Sequence, residues 1–86
     1  MRIIQLIDSL EAGGAERMAV NYANGLASKA DFSGLVCTRR EGLLKAQIQS
    51  QVNYSFLAKK SAFDHNALWR LRSYCIVNKI SHVQAH

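Results

Sequence analysis

An Ile-rich run, Ile3-Ile4-Gln5-Leu6-Ile7, leads to Gly13-Gly14 and then to apolar residues at helical spacing: Met18, Ala19, Tyr22, Ala23 and Leu26. A strand that is apolar on successive rather than alternate residues is covered on both faces, as in a parallel sheet. Parallel neighbours need a crossover, and the stretch from Ala15 to Lys29 reads as that helix, its apolar stripe turned inward. Glu16 in its first turn suits the positive end of the helix dipole, and Lys29 in its last turn suits the negative end. Gly25 costs about 1 kcal/mol relative to Ala inside a helix, which implies close packing there or a loosened last turn. Strand, glycine turn and helix N-terminus in that order gather bare backbone N–H groups at one point, where an anion can be held.

The remainder continues the alternation. Phe32 to Thr38 reads as a second strand, with Arg39 to Gly42 as the turn after it. Leu43 to Gln49 forms a short helix resting on Leu44 and Ile48. Val52, Tyr54 and Phe56 alternate with Asn53 and Ser55, a strand with one face less buried. Asp64 is a natural N-cap for a helix from His65 to Lys79 with Leu68, Leu71, Cys75 and Ile76 inward. His82 to Ala85 then makes a fourth strand. This order predicts an α/β chain: a Rossmann-like three-layer α/β/α arrangement with a four-stranded parallel sheet, the first strand central, half of a doubly wound fold. Ligands of such sheets sit at the carboxyl ends of the strands, where Asp8 to Gly14, Thr38 to Glu41, Leu57 to Ser61 and His86 all fall. A fourth strand with a bare edge suggests that residues 1–86 are part of a larger domain continuing past His86, or that the edge pairs with a second copy.

At 86 residues the chain holds one domain at most, burying about two-thirds of the surface its unfolded form exposes. Eleven Lys and Arg against six Asp and Glu give a net charge of +5, which favours contact with anions without choosing among phosphate esters, nucleic acid and lipid headgroups. The basic residues are scattered, and no basic stripe with interleaved aromatics occurs, so nucleic acid is not the expected partner. Cys37 and Cys75 form no C-x-x-C pair and read as thiols kept in a reducing compartment. His82 has no second ligand at metal spacing, so no metal site is expected. The N-terminal apolar run is too short for a signal peptide and no membrane-spanning run appears, which points to the cytoplasm, with peripheral contact at the inner membrane surface open to a basic chain.

The glycine turn matches neither of the two common phosphate-binding patterns. A dinucleotide fingerprint needs G-x-G-x-x-G and an acid about 20 residues on, and a P-loop needs G-x-x-x-x-G-K-[ST]. Gly13-Gly14 is then either a structural turn or an anion cradle of another kind. Arg39-Arg40 fits a solvated turn, and it also fits bidentate contact with an acceptor phosphate. Tyr54, Phe56 and Trp69, at strand and helix spacing, read as packing residues, and His65 as a surface residue at a helix start.

The run Asp8-Ser9-Leu10-Glu11-Ala12, then Gly13-Gly14-Ala15-Glu16-Arg17, then Ala19 to Ala27 resembles the N-terminal domain of family-4-type retaining glycosyltransferases, enzymes of GT-B architecture. Leu68, Leu71 and Arg72 fall where that family has a Leu-Arg-rich helix, and Val83-Gln84-Ala85-His86 is similar to its strand ending in a His-x-His pattern. The likeness spans nearly the whole chain, with its specific part at Gly13 to Arg17. Two departures stand out: Gln84 replaces the first histidine of the pattern, and Ser81-His82 replaces the acid that opens the strand. The resemblance implies that Gly13 and Gly14 approach the diphosphate of a nucleotide-sugar donor, which is a substrate, so no cofactor is implied. It also implies that His86 faces the transferred sugar or the acceptor hydroxyl. The acceptor would be a glycan or lipid-linked sugar.

In that family the donor nucleotide and a pair of glutamates belong to a C-terminal domain that these residues lack, so this chain alone is expected to be inactive. The alternative is a stand-alone half-Rossmann module that holds a phosphate or nucleotide without catalysis.

Overall fold

The computed structural model describes residues 1–61 and 63–86. Four strands form one all-parallel sheet in the order β3-β2-β1-β4, with β1 Arg2–Ser9, β2 Phe32–Arg40, β3 Asn53–Phe56 and β4 His82–Ala85. Helix α1, Gly14–Leu26, joins β1 to β2, a 3-10 turn over Leu43–Gln47 lies between β2 and β3, and helix α2, His65–Val77, joins β3 to β4. The arrangement is the Rossmann-like α/β fold that the alternation implies, with β1 inside the sheet.

Side-chain alternation along the strands divides the core in two. On one face Ile7, Leu35 and Cys37 meet Ala19, Val20 and Ala23 of α1 and Leu44 of the 3-10 turn, with Val52, Tyr54 and Phe56 completing the layer. On the other face Ile4 and Val36 meet Ala67 of α2, flanked by Leu6, Phe32, Leu71, Tyr74 and Cys75. Ile4 and Leu35 have no exposed surface, and each such side chain contributes about 1.5–3 kcal/mol by burial. Tyr74 packs edge-on to Phe32 and donates its hydroxyl to Asn53 Oδ1 at 2.6 Å, fixing α2 over β2 and β3. Asp64 caps α2 as expected, Oδ1 accepting from Ala67 N and Oδ2 from Lys60 N, each at 3.0 Å.

Several expectations need correction. Arg39 and Arg40 are the last residues of β2 rather than a turn, because a register shift between Ile7 and Ser9 brings Ser9 opposite Arg40, and Leu10 N donates to Arg40 O at 2.9 Å. Helix α1 stops at Leu26, so Lys29 lies beyond its last turn, and a Cβ at Gly25 would meet nothing within 4 Å. Asn24 turns this end toward the 3-10 turn, donating to Gln47 O and accepting from Gln49 N, both at 2.9 Å. Met18 and Tyr22 are about half exposed, because small residues at Ala19 and Ala23 bring α1 close to the sheet and leave larger neighbours at its flank. In α2, which ends at Val77 rather than Lys79, Ala67, Leu71, Tyr74 and Cys75 face inward while Leu68, Trp69 and Ile76 face outward. Gly34 makes room for this orientation: a Cβ there would lie 2.8 Å from Tyr74 Oη and 3.0 Å from Ile4 Cγ2, so the Tyr74 hydroxyl crosses β2 where the strand has no side chain.

Candidate functional site

The carboxyl ends of β1 and β2, with the N-terminus of α1, enclose a cavity of about 500 Å³ lined by Asp8, Ser9, Glu11, Ala12, Gly13, Glu16, Arg39 and Arg40. Gly13 is the N-cap of α1 in an extended conformation, φ −126° and ψ 175°, and contributes no side-chain cap. The first helical hydrogen bond runs from Arg17 N to Gly13 O at 3.0 Å, which leaves the amides of Gly14, Ala15 and Glu16 without an intrahelical acceptor.

Glu16 bends back over that end. A Cβ on Gly13 would sit 1.9 Å from Glu16 Oε2, so the carboxylate lies against the Gly13 backbone, on the side where the helix dipole favours negative charge. A Cβ on Gly14 would meet open space. Neither glycine has positive φ, so what the turn requires of them is close approach and not a left-handed backbone.

Two ion pairs tie the ends of the neighbouring strands. Asp8 accepts from Thr38 Oγ1 and from Arg39, whose Nε lies 2.8 Å and whose Nη2 lies 2.6 Å from Oδ2. Arg40 Nη1 lies 3.2 Å from Glu11 Oε1. The Thr38 hydroxyl, and then the Arg39 guanidinium, hold the Asp8 carboxyl below its ordinary value of 3.8. All four charged side chains are at least half exposed, so each pair contributes about 0–1 kcal/mol and yields readily to a stronger partner. With both guanidinium groups paired, the Glu16 carboxylate is the charge left over at the helix end. An entering anion gains the free amides once that carboxylate swings aside.

Of the residues singled out from sequence, Gly13, Arg39 and Arg40 line this cavity and Gly14 adjoins it on the same turn. His86 lies apart. Its backbone N donates to Leu6 O at 2.9 Å, its Nε2 is 2.7 Å from Gln5 Oε1, and its ring sits 6.1 Å from that of Tyr22. Gln5 is fully buried in mid-strand, and its Nε2 has no acceptor among the described residues. Sequence reasoning did not identify Asp8 and Glu11 as the partners of the two arginines. The signal was available, since adjacent parallel strands end side by side and these strand ends carry opposite charges.

Just past β2, Tyr54 donates its hydroxyl to Glu41 Oε2 at 2.6 Å and Lys45 Nζ approaches the same oxygen at 3.0 Å, which together hold the Glu41 carboxyl below its ordinary value. Burial, followed by that bond to Glu41, raises the Tyr54 phenol, and burial raises the Cys37 thiol. Among the described residues no three His, Cys, Asp or Glu side chains are grouped to hold a metal ion, and no helix is long and apolar enough to cross a membrane. No protein-family model matches the chain, and comparison with curated proteins and with solved structures gave no match to either.

Proposed function

We propose that this chain is the N-terminal, acceptor-side part of a cytoplasmic glycosyltransferase that moves a sugar from a nucleotide-sugar to a glycan or lipid-linked acceptor. The observation that carries the reading is the uncapped N-terminus of α1 opening onto a cavity that β2 rims with two arginines. In this proposal the donor diphosphate takes the amides of Gly14, Ala15 and Glu16 once the Glu16 carboxylate moves away. Arg39 and Arg40 exchange their exposed carboxylate partners for an acceptor phosphate, to which a guanidinium fork can bind bidentately. His86, just past β4, meets a sugar or acceptor hydroxyl, its ring oriented by Gln5. The opposite wall of the cleft and the groups that complete the reaction come from a further domain, so this chain alone transfers no sugar.

A second reading has its own support. His86, the one side chain given a part in the chemistry, stands outside the cavity, and two of the carboxylates that line it, Asp8 and Glu11, are paired with arginines, which suits a module that holds a phosphate or nucleotide without turnover. Both readings require the anion to displace Glu16. Titration with uridine diphosphate, followed by calorimetry, tests that requirement on the wild-type chain and on Glu16→Gln. The neutral variant should bind about two- to fivefold tighter, since a charge at a helix N-terminus is worth about 0.3–1 kcal/mol. Equal or weaker binding by Glu16→Gln would remove the anion site from both readings. Transfer from any nucleotide-sugar by these 86 residues would contradict the half-cleft.

A further inference from the structure

Gln5 is the one polar residue in the apolar run Ile3 to Ile7, and it is fully buried in the middle of β1, opposite Leu35 of β2 and Gln84 of β4. A parallel strand covered on both faces is ordinarily apolar throughout, so a buried amide there needs a reason. Among the described residues the Gln5 side chain has one polar contact, Oε1 lying 2.7 Å from His86 Nε2, and its own Nε2 has no acceptor. A buried donor left unpaired costs stability, and an apolar residue of similar shape would not carry that cost. A local break in the pattern that lowers stability belongs to a functional position more often than to a structural one.

His86, in contrast, is exposed. Its backbone N donates to Leu6 O at 2.9 Å, which anchors it beside the carboxyl end of β1, and its ring lies 6.1 Å from that of Tyr22, tilted by 35°. With Nε2 turned toward Gln5, Nδ1 is on the other edge of the ring and makes no hydrogen bond to a described residue. In a neutral imidazole one nitrogen carries the proton and the other accepts, and the partner of the first settles which is which. An amide oxygen can only accept, so Gln5 Oε1 calls for the proton on Nε2 and leaves Nδ1 bare. The same contact survives protonation of the ring, because both nitrogens of the cation donate. An amide turned the other way would donate to Nε2 and lose its acceptor when the ring is protonated. A bare Nδ1 accepts from a hydroxyl and has nothing to donate to a phosphate oxygen.

We infer that Gln5 is a positioning residue: it fixes His86 as the Nε2–H tautomer, so that Nδ1 is presented as an acceptor for a hydroxyl of the sugar or acceptor. The inference rests on the part given to His86 above, but its test uses no sugar or nucleotide. Failure of uridine diphosphate to bind would remove the transferase reading and leave the tautomer result standing, whereas a different tautomer would remove this inference alone. The test is a long-range proton–nitrogen NMR correlation of the three histidine rings in the nitrogen-15-labelled chain at alkaline pH, with the imidazoles neutral. The His86 signals are identified by their absence from His86→Gln. His82, whose Nδ1 lies 2.8 Å from Ser81 Oγ, is the control on the same strand. The expected result for the wild-type chain is a single tautomer at His86, Nε2 protonated and Nδ1 bare. In Gln5→Met, an unbranched apolar side chain of similar length, the two His86 nitrogens should be averaged toward each other with His82 unmoved, and the urea midpoint should equal or exceed that of wild type. A proton on Nδ1 in the wild-type chain would overturn the inference, and that measurement needs no variant. So would a wild-type tautomer pattern retained in Gln5→Met. A lower urea midpoint of Gln5→Met would overturn it too, because it would make Gln5 a residue of the core and no more.

Discussion

Gly42 lies where the β1–α1 loop passes over the start of the 3-10 turn, and Gly42→Ala should be among the most costly single-methyl changes in the molecule. A Cβ there would stand 2.5 Å from Leu10 O, 2.7 Å from Leu10 C and 2.7 Å from Glu11 N. Carbon atoms in contact normally keep about 3.5–4.0 Å apart, so the methyl is about 1 Å too close to a backbone, and no side chain can rotate to relieve it. The backbone is held from both directions: Leu10 N donates to Arg40 O at 2.9 Å, and Leu44 N donates to Leu10 O at 3.1 Å. Leu10 and Leu44 are themselves buried, so any shift disturbs the α1 layer of the core. Gly42 has φ −155°, extended backbone that alanine adopts freely, so the whole cost is steric. Overpacking costs about 1–3 kcal/mol, and an immovable obstacle puts this case near the top of that range. For a domain of this size the loss corresponds to a fall of about 10–20 °C in Tm. Gly25→Ala is the counterpart, since its methyl meets nothing, and it should raise stability by about 0.5 kcal/mol. Urea and thermal melts followed by circular dichroism measure both. Gly42→Ala within about 0.5 kcal/mol of wild type would refute the reasoning, since surface substitutions fall in that range.

Two further predictions concern charge and capping. Asp64→Ala removes acceptors for Ala67 N and Lys60 N and should cost about 1 kcal/mol in urea denaturation, whereas Asp64→Asn should recover most of it; equal stability of all three chains would contradict the cap. Acid should destabilise the fold through Asp8, Asp31, Glu41 and Asp64, each titrating below its ordinary value: Asp8 chiefly through Thr38, Asp31 through the N-terminal ammonium, Glu41 through Tyr54 and Asp64 through the Lys60 amide. A depressed carboxyl stabilises fully above the unfolded value and loses that stabilisation as pH falls through the folded one, so stability should be level above about pH 5 and drop below about pH 4. Denaturation midpoints that rise between pH 5 and 3 would contradict the assignment.

What could be read from the sequence was decided by local pattern. The run Ile3 to Ile7 and the four-residue span His82 to Ala85 are strands as expected, because apolar or alternating residues between turn residues leave little choice of structure. Arg39 and Arg40 read as a turn because two adjacent charges resemble one, whereas a bulge, Asp8 on β1 and Glu11 just past it hold them in the strand. The inward stripe of α2 is ambiguous in the sequence because apolar residues occupy most of its circumference. Room for its inward side is made by Gly34 on β2, a position distant in sequence, where the Tyr74 hydroxyl crosses the strand. At the candidate site the glycine turn and the arginines were legible. The return of Glu16 onto Gly13 follows the three-residue spacing by which a Glu in the first turn reaches back to its N-cap, whereas the position of His86 outside the cavity depends on side-chain placement that no spacing encodes.

The central claim is that the free amides at the start of α1 hold a diphosphate. Titrating uridine diphosphate into the nitrogen-15-labelled chain, with amide resonances followed by NMR, tests it most directly. The account predicts that Gly14, Ala15 and Glu16 shift most and saturate together, with the side-chain Nε signals of Arg39 and Arg40 moving alongside. Shifts confined to the Lys59-Lys60 loop or spread evenly over the basic surface, with Gly14 to Glu16 unmoved, would contradict it.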